Sequence, residues 1–193
     1  GTLISSSLVA YPLARMEFKG KNLIFSIIIA TMMIPNIALI IPQYIMFGKL
    51  GWLDSLFPMI IPAFFAYPYN VFLFRQYFRS IPKELDEAAT IDGCNAWQTF
   101  LKVMLPICKP GVATAVAMSL FMAWGDMVFS LTFLTKEELK PISLILYKAM
   151  GELGVRWEIL MAYATLIVLP ILIIFIFMQK YIVSGMTAGS VKG

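Results

Sequence analysis

Long stretches without a charged residue limit what this chain can fold into. Residues 23–48, 55–74 and 159–179 contain no Asp, Glu, Lys or Arg, and residues 110–135 contain only Asp126. A helix that crosses the hydrocarbon of a bilayer needs about 20 consecutive apolar residues, and each of these runs is long enough. The runs do not alternate polar and apolar residues as the strands of a membrane barrel do. The sequence therefore predicts an all-α fold, a polytopic transmembrane helical bundle.

Residues 1–14 are also apolar, but they are too few for a complete span. We interpret them as the inner end of a fifth span, and a chain that starts with Gly1 inside such a run is expected to be a fragment rather than a signal peptide followed by a domain. The composition agrees with a membrane protein, because 60% of the residues are hydrophobic and 13% are charged. We therefore expect one transmembrane domain, residues 1–193, with about five spans.

The distribution of Lys and Arg predicts which connections face the cytoplasm. Of the 15 such residues, ten lie in the first connection, the third connection (residues 75–109) and the C-terminal end, and five lie in the second and fourth connections. This excess places the first connection, which contains Arg15, the third connection and the tail, residues 183–193, in the cytoplasm. Cys94 and Cys108 then lie on the reducing side, and they suggest neither a disulfide framework nor a zinc site. The absence of His excludes a histidine-based metal site or catalytic triad.

The third connection contains a polar segment that differs from the runs on both sides, "KELDEAATIDGCNAWQTFLKVMLP" at residues 83–106. Gly93 favours a left-handed helix end, which predicts a helix of about 11 residues before it. Asn95 and Gln98 resemble a capping box that starts a second, amphipathic helix, which Pro106 is expected to end. The pattern predicts a projecting helix, a glycine corner and an anchoring helix. It leaves open whether the segment docks a cytoplasmic partner or is a solvated loop.

The motif "EAATIDG", followed by "LKVMLPICKPG", resembles the EAA signature of binding-protein-dependent ABC importer permeases. The stretches "ELDEAATIDG" and "QKYIVSGMTAGSVKG" resemble the carbohydrate-uptake branch, in particular the smaller permease of maltose-type systems. The resemblance covers essentially the whole chain and implies a type I importer permease, whose usual six spans would here lack the first. The signature positions implied to couple this chain to an ATPase are Glu87, Ala88, Ala89, Asp92, Gly93, Leu105 and Pro106.

The resemblance also implies a mechanism and a set of partners. The helix within residues 80–106 would lie in a cleft of a cytoplasmic ATPase, where Glu87 would make a polar contact and Ala88 and Ala89 would allow close approach. The implied partners are an ATPase dimer that binds ATP, a second permease subunit, an extracytoplasmic sugar-binding protein and the lipid of a bacterial or archaeal inner membrane, with no nucleic acid. This chain has no G-x-x-x-x-G-K-[ST] loop, so we expect neither an enzyme nor a bound cofactor or metal.

Asp126 is the only ionisable residue inside a predicted span. Charged residues are costly in hydrocarbon and are often functional there. Together with Trp124 it could stack on a sugar and hydrogen-bond to it, which makes both residues candidates for the substrate pathway. Alternatively, Asp126 lies near the end of its span and contacts a neighbouring helix or water. The connection at residues 136–158 could contact a binding protein or be a solvated loop.

Three other functions remain open at the level of the sequence. An ABC permease for a different small solute would share the same signature. A secondary transporter or channel would need several ionisable residues inside its spans, where only Asp126 is found. A polytopic membrane enzyme would need clustered acids together with His or Ser, and the chain contains no His. The sequence therefore favours the permease subunit of an ATP-driven sugar importer.

Overall fold

The computed structural model of the protein describes residues 1–144 and the backbone of residues 157–188, with side chains up to residue 179. Within these ranges the chain forms helices and turns and no strand, which confirms the predicted all-α fold. The helices, in chain order, are α1 (Thr2–Arg15), α2 (Lys21–Thr31), α3 (Ile40–Lys49), α4 (Phe57–Ile60), α5 (Pro68–Ser80), α6 (Glu84–Ile91), α7 (Ala96–Thr99), α8 (Leu105–Ile107), α9 (Lys109–Trp124), α10 (Val128–Phe133) and α11 (Trp157–Ala188).

Short turns of other helical types complete the chain. A π-helical turn, Phe100–Met104, joins α7 to α8, and the 3₁₀ turns are Asn36–Leu39, Ile61–Phe64 and Glu137–Leu139. The described residues form two compact units, which are treated separately below. The first unit consists of the described parts of Gly1–Ile34, Ala63–Ala117 and Met178–Gly193, and the second of those of Pro35–Pro62 and Met118–Phe177.

Two helical segments among the described residues are long and apolar enough to cross a membrane, Phe57–Ser80 and Trp157–Gln179. Two pairs of helices meet the same test only when each pair is taken together, Lys21–Thr31 with Asn36–Lys49 and Ala96–Ile107 with Lys109–Trp124. The remaining apolar helix, α1, has 14 residues and spans only about 21 Å, less than the hydrocarbon thickness. The helices therefore agree with a polytopic bundle, with up to four complete spans.

Three of the predicted spans are not single helices, and residues 55–74 are interrupted before α5. Residues 23–48 are interrupted between Thr31 and Asn36, because Pro35 lacks an N–H and its ring disfavours helical backbone in the residue before it. Residues 110–135 are also interrupted, since the helix that begins at Lys109 ends at Trp124 and a new helix starts at Val128. Gly125, with its low helix propensity, follows the first of these helices directly.

The boundary after the second predicted span was also wrong. α5 continues to Ser80, so Arg75 and Arg79 belong to a helix rather than to the third connection. Arg75 is buried, its Nε donates to the carbonyl oxygen of Leu13 at 3.1 Å, and its guanidinium carbon lies 3.7 Å from the centre of the Phe25 ring. A buried charge needs such partners. Because Arg75 finds them inside the protein, its charge does not end the helix.

The core of the first unit lies between α1, α5 and the segment after α6. Tyr11 of α1 is buried between two aromatic rings, with its centroid 5.9 Å from that of Phe78 and 5.1 Å from that of Phe100. Met104 and Cys108 belong to the same buried cluster. Aromatic pairs at these distances add about 0.5–1.5 kcal/mol to the area that they bury. The end of α1 is thereby held firmly against α5 and the π-helical turn.

Two serines of α1 accept hydrogen bonds from backbone N–H groups at the break before α5. The hydroxyl oxygens of Ser5 and Ser6 accept hydrogen bonds from the N–H groups of Ala66 and Tyr67, both at 2.9 Å. Ala66 has a left-handed backbone with φ of 41°, so these groups have no helical partner. Hydrocarbon offers no alternative donors or acceptors. The two hydroxyl groups therefore allow an interrupted helix within an apolar span.

In the second unit, hydrogen bonds of Asp54 join the connection after α3 to the residues that follow α10. Its Oδ1 accepts hydrogen bonds from the N–H and hydroxyl of Thr135 and from the N–H of Lys136, and its own N–H donates to the Phe133 carbonyl at 3.0 Å. The hydrogen bonds from Thr135 lower the pKa of the Asp54 carboxyl. The carboxylate is therefore ionised at neutral pH, and these bonds are lost only as the pH falls through that lowered value.

Part of the chain's C-terminal third lies outside the described residues. This part includes Lys148 and Arg156 of the connection at residues 136–158, and residues 189–193 of the predicted tail. The first residues of that tail, 183–188, continue α11 as helix. Both alternatives for the 136–158 connection, a contact with a binding protein or a solvated loop, therefore stay predictions.

Candidate functional site

The polar segment forms the predicted helix, corner and second helix. α6 has eight residues, fewer than expected, because Lys83 is its N-cap and Asp92 already leaves the helical conformation. Gly93 has φ of 78°, and its N–H donates to the carbonyl oxygen of Thr90 at 3.0 Å. This is the backbone that glycine adopts at a left-handed helix end, so the predicted corner is confirmed.

The second helix begins as predicted but does not end at Pro106. Asn95 and Gln98 form both hydrogen bonds of a capping box, each at 2.9 Å. Pro106 lies in the first turn of α8, where its missing N–H is tolerated. The helix therefore continues through the π-helical turn to Ile107, and the chain bends by 77° before α9. The physical end of the segment is Cys108, which is buried at this bend.

α6 is exposed along most of its surface. Ala89 is buried with 5% of its surface accessible, whereas Glu87 and Ala88 are exposed and Ile91 is 86% exposed. The two alanines therefore do not share one environment, since Ala89 contacts the protein and Ala88 is open to a partner. Among the described residues, the Glu87 carboxylate has no hydrogen bond or ion pair. Its charge lies in the first turn, where the helix dipole favours an acid.

The beginning of α6 is fixed by Arg15, the last residue of α1. One nitrogen of its guanidinium donates to the Ile81 carbonyl and the other to the Pro82 carbonyl, both at 2.9 Å. The second nitrogen also forms an ion pair with Asp86 at 2.6 Å. In the sequence, Arg15 is only one of the positive charges that predict a cytoplasmic connection. No local pattern could have paired it with Asp86, because the two residues are far apart in the chain.

The two halves of the EAA signature have different environments. Leu105 is partly buried against the aromatic cluster of the first unit, and the neighbouring Met104 is fully buried. Pro106 is exposed, as are Asp92 and Gly93 at the corner. The later part of the signature thus anchors the segment to the core, while the earlier part presents α6 to its surroundings.

Trp124 and Asp126, the candidate pathway residues, both lie at the break between α9 and α10. The indole N–H of Trp124 donates to the Ile167 carbonyl of α11 at 3.1 Å. The Asp126 carboxylate accepts from the N–H and hydroxyl of Ser130, at 3.1 and 2.8 Å, and from the N–H of Phe129 at 3.4 Å. Asp126 therefore caps the start of α10, and both candidates hold helices of the second unit in place.

Comparison with known proteins gives the chain its family. It matches the family described as "Binding-protein-dependent transport system inner membrane component" over residues 4–188. It is 36% identical over 192 residues to the arabinooligosaccharides transport system permease protein AraQ of Halalkalibacterium halodurans, covering 100% of this chain and 68% of that protein. It is 33% identical over 196 residues to the trehalose/maltose transport system permease protein MalG of Thermococcus litoralis, covering 100% of this chain and 70% of that protein.

A solved structure is similar as well. It is a crystal structure of a bacterial ABC transporter involved in the import of the acidic polysaccharide alginate, and one of its chains matches with a TM-score of 0.77 at 29% identity. The match covers 91% of this chain and 69% of that chain. This likeness confirms the predicted membrane helical bundle and the predicted resemblance to ABC importer permeases. The chain belongs to the family of inner membrane components of binding-protein-dependent transport systems.

Proposed function

We propose that this chain is a permease subunit of an ATP-driven sugar importer and that α6 is its contact with a cytoplasmic ATPase. The observation that carries the proposal is the environment of α6. The helix is exposed and its Glu87 is free to pair with another protein, yet Arg15 holds its first turn to α1 and the end of α5. A solvated loop would not need this attachment, whereas a helix that transmits movement does.

The mechanism follows from a rigid attachment between α6 and the helices of the first unit. ATP bound by the partner ATPase dimer closes that dimer, and the α6 helices of the permease subunits move with it. Rigid-body movement then switches the spans between inward-facing and outward-facing states. In this arrangement the EAA segment and the C-terminus lie in the cytoplasm, and an extracytoplasmic binding protein delivers the sugar to this chain and a second permease subunit.

A neutral sugar is the favoured substrate class. The relatives that support it are named as transport proteins for arabinooligosaccharides and for trehalose and maltose. The apolar runs contain a single charge, Asp126, and Arg75 of α5 already has partners inside the protein. The described spans therefore favour a solute that is not strongly ionic. The relative that imports an acidic polysaccharide makes a charged saccharide the second candidate. In that case most of the charge recognition would lie on the partner proteins.

The Asp126 carboxylate is proposed to contact the sugar while it caps α10. Its two oxygens offer about four acceptor sites. Donors from Phe129 and Ser130 use three of them, so about one site is left for a sugar hydroxyl. Asp126→Ala is expected to lower the uptake rate about tenfold and to change the order of preferred sugars, because a hydrogen bond to a charged group contributes about 1.5–3 kcal/mol. Ser130→Ala, which keeps the carboxylate, is the matched control. An unchanged rate and preference in Asp126→Ala would remove this residue from the pathway.

The proposed function is tested with the complete transporter in proteoliposomes. The permease is reconstituted with its ATPase, partner permease and binding protein, and uptake of labelled neutral oligosaccharides, alginate oligosaccharides and an amino acid is measured. We expect ATP-dependent uptake of a neutral oligosaccharide and none when the ATPase is left out. Uptake driven by an ion gradient without ATP would contradict an ATP-driven importer. Uptake of the amino acid alone would contradict a sugar as the substrate.

A further inference from the structure

We propose that Arg15 is a positioning residue that makes α1 move together with α6, so that ATPase movement reaches the spans of the first unit through this side chain. The inference rests on the proposed function, because it takes α6 as the ATPase contact. It assigns a role to Arg15, which lies outside the EAA signature, and it names a mechanical connection from α6 to α1 that the sequence pattern does not predict. Arg15 does not touch substrate or ATP in this account, since it acts only through Asp86 and the backbone after α5.

The contacts of Arg15 join three elements at one point. The residue ends α1, its two carbonyl partners, Ile81 and Pro82, follow α5 directly, and Asp86 lies in the first turn of α6. The Arg15 side chain is 6% exposed and that of Asp86 is 29% exposed. The ion pair is therefore largely shielded from water, which strengthens it relative to a surface pair.

The chemistry of this contact favours a stiff connection. Arginine presents its N–H donors in a planar, fixed fork, so one guanidinium can hold several acceptors at set angles. Asp86 alone could be held by any cation, but the carbonyl groups of Ile81 and Pro82 fix the plane of the guanidinium as well. Charge-assisted bonds of this kind are shorter and stronger than neutral ones. The first turn of α6 therefore has a defined orientation relative to α1.

The remainder of α1 is held tightly enough to carry the movement further. Tyr11, one helical turn before Arg15, is buried between Phe78 and Phe100. Arg75 of α5 donates to the carbonyl oxygen of Leu13. A displacement of α6 thus acts on Arg15, then on the end of α1, and then on α5 through these contacts. The other end of α6 leads through Gly93, where nothing lies near the position of a Cβ, to the second helix.

The test uses Arg15→Met in the complete reconstituted transporter, with Arg79→Met as the matched control. Arg79 lies in the last turn of α5, is exposed and has no hydrogen bond or ion pair among the described residues, so its loss removes the same charge without the contact. The measurements are the amount of ATPase retained, the rate of ATP hydrolysis and the sugar transported per ATP. We expect Arg15→Met to retain the ATPase and to hydrolyse ATP, with the sugar transported per ATP reduced at least about fivefold.

Two further variants separate positioning from folding. Arg15→Lys keeps the charge but lacks the fork, and we expect it to be intermediate between wild type and Arg15→Met. Asp86→Asn keeps the size of the side chain and leaves the two carbonyl contacts of Arg15 in place, and we expect a smaller loss of sugar per ATP in a fully assembled complex. A positioning role is contradicted if Arg15→Met transports as much sugar per ATP as wild type, whatever the result for Asp86→Asn. It is also contradicted if both reduce only the amount of chain in the membrane, or if Arg15→Met loses the ATPase.

These outcomes distinguish the inference from the proposed function. If neither the wild-type complex nor any variant takes up sugar with ATP, the proposed importer function is contradicted. The proposed role of Arg15 is then contradicted as well, because it rests on that function. If the wild-type complex transports sugar and Arg15→Met transports equally well per ATP, only the role of Arg15 is contradicted.

Discussion

Replacing Glu87 by arginine is expected to abolish uptake while leaving the amount of chain in the membrane unchanged. The side chain is exposed and has no partner among the described residues, so the fold loses no contact. In a complex with the ATPase, the new charge would oppose the group that the carboxylate meets. Losing one partner of a buried charge pair at an interface costs about 2–5 kcal/mol, which corresponds to at least about a thirtyfold loss of ATPase affinity.

Glu84→Arg is the matched control for this substitution. Glu84 lies in the same first turn of α6, is exposed and likewise has no partner among the described residues. Both variants change the net charge equally and both place a cation near the positive end of the helix dipole, which costs about 0.3–1 kcal/mol. Uptake in proteoliposomes should therefore be lost in Glu87→Arg and largely kept in Glu84→Arg. Equal uptake by the two variants would mean that Glu87 is an ordinary solvated acid.

Gly93→Pro is expected to have the second large effect. Proline fixes φ near −65°, whereas Gly93 has φ of 78°. Proline also lacks the N–H that Gly93 donates to the Thr90 carbonyl. The corner must then rebuild, and α6 changes its direction relative to the second helix. We expect Gly93→Pro to insert into the membrane but to lose uptake and ATPase association, because the contact surface of α6 is no longer presented in the same orientation.

Gly51→Pro is a close control for the corner. Gly51 has φ of 68°, donates its N–H to the Gly48 carbonyl at 3.1 Å, and like Gly93 has nothing near the position of a Cβ. The two substitutions therefore remove the same backbone conformation and the same kind of hydrogen bond. Uptake normalised to the amount of inserted chain should fall in Gly93→Pro and persist in Gly51→Pro. If both lose uptake to the same degree, the effect reflects backbone strain in general rather than the corner before the anchoring helix.

Local patterns in the sequence predicted the features that depend on neighbouring residues. The apolar runs predicted helices, Gly93 predicted the left-handed end, and Asn95 with Gln98 predicted the capping box. Each of these depends on backbone chemistry within a few residues. They sufficed to place a helix, a corner and a second helix between two apolar runs.

Features that depend on contacts between distant segments were not predictable in this way. Arg75 looked like the start of a cytoplasmic connection, but Leu13 and Phe25 provide partners that allow it to be buried. The pattern around Pro106 predicts a helix end, but Pro106 lies in the first turn of α8, where its missing N–H is tolerated. Arg15 and Asp86 are each unremarkable in sequence. Only the packing of α1 along α5 brings them within 2.6 Å.

The central claim, that α6 contacts the ATPase, is tested most directly by photocrosslinking. A photoreactive amino acid is placed at Ala88, which is exposed on α6, or at Met33, which is 85% exposed at the break between α2 and α3. The complete transporter is irradiated in membranes after the presence of the ATPase has been verified for both variants. The account predicts a crosslink from position 88 to the ATPase and none from position 33. No ATPase crosslink from position 88, or an equal yield from both positions, would contradict it.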